Sequence, residues 1–115
     1  MENLNNPHII EPRCRELGFP APYNIEKQWC YVKRLMLCGN SINTRQARYI
    51  GIHNLHSIVS KLKKKQCKFM LEHKKCFCPQ TKTTPNQLVD FVYMTSEQVI
   101  LNKEKAAKDN LKATF

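Results

Sequence analysis

At 115 residues the chain has room for one domain with a real core and little room for a second, and its 42% apolar content is enough to fold. Nineteen Lys and Arg against nine Asp and Glu give a net charge of +10, which favours a polyanionic partner. No apolar run approaches the ~20 residues that span a bilayer, and the amino terminus is polar and acidic rather than basic and then apolar, so no membrane association is expected. A cytoplasmic location in a bacterial host cell follows, in which the six cysteines Cys14, Cys30, Cys38, Cys67, Cys76 and Cys78 are thiols rather than bridges.

Residues 1 to 22 hold four of the six prolines and show no sustained periodicity, so they read as an extended arm or linker. Arg13, Arg15 and Phe19 within it could reach over DNA or pack on the body. From Asn24 the pattern changes: Ile25, Trp29, Val32, Leu35 and Met36 recur at helical spacing, predicting a first helix over about 24 to 38. Asn24 can cap its start, and Gly39 stands where a left-handed residue would end it. Trp29 lies on the apolar stripe and is a core candidate, as are Cys30 and Cys38.

A second start signal comes at Asn43, with Gln46 three residues on, close to a capping box. The helix it begins is short, with Ala47 and Ile50 inward and Arg45 and Arg48 facing solvent or phosphate. Gly51 permits a tight turn, Ile52 anchors it, and His53 or Asn54 caps the next helix. In that helix, about 53 to 66, Leu55, Ile58, Val59 and Leu62 repeat at i, i+3, i+4 and i+7. The opposite face carries His53, Ser57, Ser60, Lys61 and Lys64: short hydrogen-bonding groups first, cations after. That order suits a helix whose first turns read base edges and whose last turns hold phosphate.

Beyond Gln66 the period switches to 2. CKFMLEHKKCFC, residues 67 to 78, reads as a strand with Phe69, Leu71 and His73 on one side and Lys68, Met70 and Glu72 on the other. PQTKTTPNQ is rich in turn formers, with Lys82 near the tip beside Thr81, Thr83 and Thr84, and LVDFVYM, residues 88 to 94, is the best strand in the chain. Two strands and a loop after three helices predict an α+β winged helix-turn-helix over residues 23 to 98. Thr95 and Gln98 form a second capping box, starting a last helix at Ser96 that runs to about Leu111; residues 99 to 115 are a helix or tail that could pair two subunits as a homodimer.

The pattern S-I-N-T-R-Q-A followed by G-I-H-N-L-H-S-I-V-S-K-L resembles the small helix-turn-helix proteins of bacteriophages and prophages. In these a G-S-I-T-x-x-x-A segment leads into G-I-x-x-L-x-x-R-I-x-x-L-R. The likeness covers about residues 24 to 98 and implies a DNA-binding winged helix with a regulatory role. Two positions depart from it: the arginine midway along the second helix is replaced by Ser57 or Ile58, and the closing Leu-Arg is Leu62-Lys63. Loss of that arginine removes the commonest bidentate contact to guanine.

Other chemistry has less support. Cys67, His73, Cys76 and Cys78 are spaced C-x5-H-x2-C-x-C, unlike the paired knuckles that hold zinc, so no metal or other cofactor is expected. No P-loop, nucleophile elbow, H-E-x-x-H or clustered carboxylate set is present, so no enzymatic activity is expected. The expected activity is double-stranded DNA binding by a phage or prophage regulator. His53, Asn54, Ser57 and Ser60 would lie near bases, Arg45, Arg48, Lys61, Lys64 and Lys65 on phosphates, and Lys82 in an adjacent groove. The alternative is a protein-binding module of the same fold that inhibits a host protein or nucleoprotein complex, which exposed apolar surface from Phe77, Tyr93 or the last helix would favour.

Overall fold

The computed structural model describes residues 9–114, with side chains described through residue 107. The element order is α1 (Glu11–Glu16), α2 (Gln28–Leu37), β1 (Ile42–Asn43), α3 (Thr44–Tyr49), α4 (Leu55–Lys64), β2 (Met70–Lys74), β3 (Val89–Tyr93) and α5 (Ser96–Thr114). The strands form an antiparallel sheet in the order β1-β3-β2. The chain is thus α+β, with five helices and three strands among the described residues. No helix of the described residues is long and apolar enough to cross a membrane.

One core serves all of these elements. Tyr31, Val32, Leu35 and Met36 of α2, Leu55, Ile58, Val59 and Leu62 of α4, Ala47 of α3 and Val92 of β3 are buried together. The i, i+3, i+4, i+7 stripe of α4 is therefore its inner face, as its spacing predicts.

The amino-terminal segment differs from the expected extended arm. Pro12 sits in the first turn of α1, where a missing N–H costs nothing, so proline starts this helix rather than preventing one. Cys14 and Phe19 join the core with Ile9 and Leu17 against it, and Ile10 N–H donates to Ile50 O at 2.8 Å. Arg13 packs on the body, donating to Tyr49 O at 2.9 Å with its guanidinium over the Tyr49 ring, while Arg15 is exposed and pairs with Glu11. Residues 1 to 8 of the expected arm lie outside the described residues.

The first long helix begins at Gln28, four residues later than predicted, because residues 23 to 27 are held in a different arrangement. Asn24 caps nothing. The buried Glu26 accepts the Tyr23 N–H at 3.1 Å and a forked pair of bonds from Arg34 at 2.7 and 2.8 Å, which folds the segment back on α2. The helix ends as expected: Gly39 is left-handed (φ 90) and Asn40 N–H returns to Leu35 O at 3.1 Å. Cys38, expected inside, is exposed at this end, and the thiol buried completely is Cys14.

Tyr31 is fully buried and donates its hydroxyl to Pro20 O at 2.7 Å, and burial holds its phenol above the ordinary range. Tyr31→Phe leaves that carbonyl without its donor. The expected loss is about 1–3 kcal/mol of stability, read as a lower urea midpoint at unchanged slope. A midpoint equal to wild type would show that Pro20 O finds another donor.

Candidate nucleic-acid interface

The candidate surface is built by the α3–α4 unit. Asn43 Oδ1 accepts the Gln46 N–H at 2.9 Å while Gln46 Oε1 accepts the Asn43 N–H at 3.1 Å, so the expected capping box forms in full. The residue just before it also starts β1: Ile42 pairs with Val92 and Asn43 with Phe91, a third strand that sequence periodicity could not show because two residues carry no period. At the far end of α3, Gly51 adopts φ 102 and Ile52 N–H donates to Ala47 O at 2.8 Å. Ala47 and Ile52 are both fully buried, so the turn is fixed from inside.

Asn54, rather than His53, caps α4, accepting the Ser57 N–H at 3.1 Å. Its Oδ1 is thereby committed, and its amide NH2 remains for outside contacts. The helix is shorter than predicted, Leu55–Lys64, and Gln66 takes the left-handed position after it (φ 61). Ser57, Ser60, Lys61 and Lys64 are exposed on its outer side, with His53 exposed in the turn before and Lys65 just after. Lys61 and Lys65 lie over the ring of half-buried Trp29, at 5.7 and 4.5 Å from its centroid. Trp29 therefore packs at the core margin, covered by cations.

The two arginines of α3 differ. Arg48 is exposed. Arg45 is half-buried, its Nε is sequestered without a hydrogen-bond partner, and its charge lies beside Cys76 and Cys78. Only Arg48 stands fully in solvent as predicted.

The hairpin has the predicted alternation but shorter strands. Met70 pairs with Tyr93, Leu71 with Val92, Glu72 with Phe91, His73 with Asp90 and Lys74 with Val89. Leu71 and Val92 face the core side, while Glu72 accepts the Tyr93 hydroxyl at 2.8 Å and Lys74 covers the Phe91 ring on the other. β2 stops at Lys74 rather than running to Cys78. Past it a local turn takes over, in which Cys78 bridges to Thr83 and Lys82 N–H donates to Cys78 O at 2.8 Å. Lys82 is exposed there in the left-handed conformation (φ 60), beside a Thr81–Thr83 hydroxyl bond of 2.8 Å. Hydrogen bonding from Thr81 holds the Cys78 thiol below the ordinary thiol range, and burial raises that of Cys76. His73 is engaged with Asp90 instead of the cysteines, and among the described residues no three His, Cys, Asp or Glu side chains are grouped as metal ligands.

Two anchors escape sequence reading. Buried Asn102 donates to Lys68 O and Gln98 O, each at 2.8 Å, and accepts the Lys68 N–H at 3.0 Å. Lys105 Nζ donates to Lys65 O at 2.8 Å, closing the carboxyl end of α4. Together they fix α5 beneath the basic end of α4, and the Thr95–Gln98 box starts α5 as predicted. α5 runs to Thr114, past the expected end near Leu111, whose side chain lies outside those described.

Compared with protein-family models, curated proteins and solved structures, the chain finds no match in any of the three.

Proposed function

We propose that the chain is a winged helix-turn-helix protein that binds double-stranded DNA and acts as a regulator of the phage or prophage type. One observation carries this reading: α4 buries a complete apolar stripe and leaves outside a row that runs from Asn54, Ser57 and Ser60 to Lys61, Lys64 and Lys65. Such a row matches a helix inserted by its first turns into a major groove between two phosphate strands. The capped α3, the turn at Gly51 and the hairpin beside β1 support the helix-turn-helix and wing assignments. In this reading His53, Asn54, Ser57 and Ser60 approach bases. Lys61, Lys64, Lys65 and Arg48 hold phosphates, Arg45 contributes charge from a half-buried position, and Lys82 carries the wing tip to a neighbouring groove.

The outer face has no arginine, so base discrimination rests on hydroxyl, amide and imidazole groups and is expected to be modest. Ser57→Ala should weaken the preferred duplex by roughly 1–3 kcal/mol and leave random duplex almost unchanged, measured after selecting the preferred site from a random pool. Equal losses on both would contradict base reading by Ser57.

A second reading is favoured by the exposed apolar side chains Phe77 and Leu88 of the hairpin region and Ile100 and Leu101 of α5. These suit a protein partner, such as a host complex that the chain would disable. Capture from bacterial lysate with and without nuclease separates the two: one protein retained after nuclease treatment favours this reading over DNA binding.

A further inference from the structure

Asp90 sits where the hairpin meets α4. Sheet alternation puts it on the same side as Val92, and its register partner is His73. One carboxylate oxygen faces His73 Nε2 at 2.9 Å and the other faces His56 Nδ1 at 3.4 Å, so a single acid joins the second residue of α4 to both hairpin strands. The carboxylate side chain is only 12% exposed, whereas the imidazoles are 82% and 61% exposed. The acid is shielded and the two bases are open to solvent.

A carboxylate can only accept, so in the neutral state a ring bonds to Asp90 only with its proton on the nitrogen facing it. The outward nitrogens, Nε2 of His56 and Nδ1 of His73, are then bare acceptors and offer nothing to a phosphate oxygen. Uptake of one proton by each ring turns the outward nitrogen into a charged donor, while the contact with the Asp90 carboxylate becomes an ion pair.

The other ionisable groups on these elements do not compete for Asp90. On β2, Glu72 and Lys74 lie on the opposite sheet face, with the Tyr93 hydroxyl and the Phe91 ring. On α3, Arg45 lies towards Cys76 and Cys78, and β1 has no ionisable side chain. On α4 the lysines occupy the last turns, and the nearby His53 and Lys75 are exposed in the segments flanking α4 and β2.

We infer that His56 and His73, positioned by Asp90, form a proton-gated phosphate-binding pair at the junction of α4 and the hairpin. The surface therefore grips a nucleic-acid backbone more tightly once the two rings have taken up protons. This rests on the DNA-binding reading, and deepens it by adding two contacts and a regulating variable.

Duplex affinity is measured against salt at pH 8 and pH 6 for wild type, His56→Gln, His73→Gln and the double variant. For wild type, affinity should rise roughly 10- to 100-fold on going to pH 6, and the salt slope should steepen by up to about 2, or ~0.9 per added phosphate contact. Between pH 8 and pH 6 the double variant should gain less than about 3-fold, each single variant falling between it and wild type. Calorimetry of wild type near pH 7, in buffers of different ionisation enthalpy, should show net proton uptake on binding; this needs no variant to fold. Salt-dependent binding with no proton uptake, or a double variant with the wild-type pH profile, overturns the inference while sparing the DNA reading. No duplex binding at either pH overturns both.

Discussion

Titrated with duplex DNA, the protein is expected to lose affinity with a slope of log affinity against log salt of about −5 to −6, as neutralisation of ~5 to 7 phosphates requires. Between 50 and 200 mM salt that slope amounts to a loss of roughly a thousand-fold or more. The contributors are the cations at the end of α4 with Arg48 and Lys82, all exposed. Lys64→Ala should weaken every duplex alike and lower the slope by about 0.9. Replacing Lys61, Lys64 and Lys65 together should lower it by about 2 to 3. Lys61 and Lys65 also cover Trp29, so the triple variant exposes the indole, and a shift in its fluorescence would report that change separately from binding. A wild-type slope near zero would sink the DNA reading and leave the protein-binding one.

The largest expected effect on stability is at Arg34. Its guanidinium makes two bonds to the Glu26 carboxylate and one to Ala21 O, and lies 4.0 Å from the centroid of the Tyr23 ring. The Glu26 side chain is 6% exposed and that of Arg34 is 22% exposed, so removing the cation strands a buried acid. Arg34→Met is expected to cost about 3–5 kcal/mol at pH 7. Burial pushes the Glu26 carboxyl up, but hydrogen bonds from Arg34 and the Tyr23 backbone, with the Arg34 charge, outweigh it and hold the group below the usual carboxylate range. A depressed acid stabilises the fold above its unfolded value of ~4.3, and that contribution fades as pH falls through the lower folded value. In Arg34→Met burial is opposed only by the Tyr23 N–H bond, so Glu26 shifts towards its neutral form and acid relieves the penalty. The gap between wild type and variant should therefore be widest near neutrality and shrink below about pH 4, measured by urea unfolding across pH. A gap that is small at pH 7, or constant with pH, would show that the pair is solvated in solution.

The stripe Leu55, Ile58, Val59 and Leu62 is legible as a helix face because apolar residues recurring every 3.6 positions over two to three turns fall on one side of a helix and on both sides of a strand. The caps at Asn43 and Thr95 and the turn at Gly51 are legible for a similar reason: each is a local bond or backbone conformation set by residues three or four apart. The exposed residues of α4 follow from the same periodicity. The side alternation of the hairpin, in which Leu71 and His73 oppose Met70 and Glu72, follows instead from a period of 2.

What depends on distant partners is not legible. Pro12 and its neighbours look like a linker until Cys14 and Phe19 find the core, because a six-residue helix is not stable without tertiary packing. The start of α2 is displaced by Glu26, whose partner Arg34 is eight residues on and two turns into the helix. β1 exists only because β3 lies beside it, and Asn102 is an anchor only because the Lys68 backbone passes within reach.

The amino-acid order alone thus settles the inner face of α4, the caps at Asn43 and Thr95, the turn at Gly51 and the excess of positive charge, since each arises from neighbours along the chain. Only the tertiary structure decides that Arg45 is half-buried while Arg48 is free, and that His56 and His73 share Asp90. The reason is register: across the long connection of residues 75 to 88, nothing local sets which β2 residue faces Asp90. The packing of α4 then places the second imidazole against the same carboxylate.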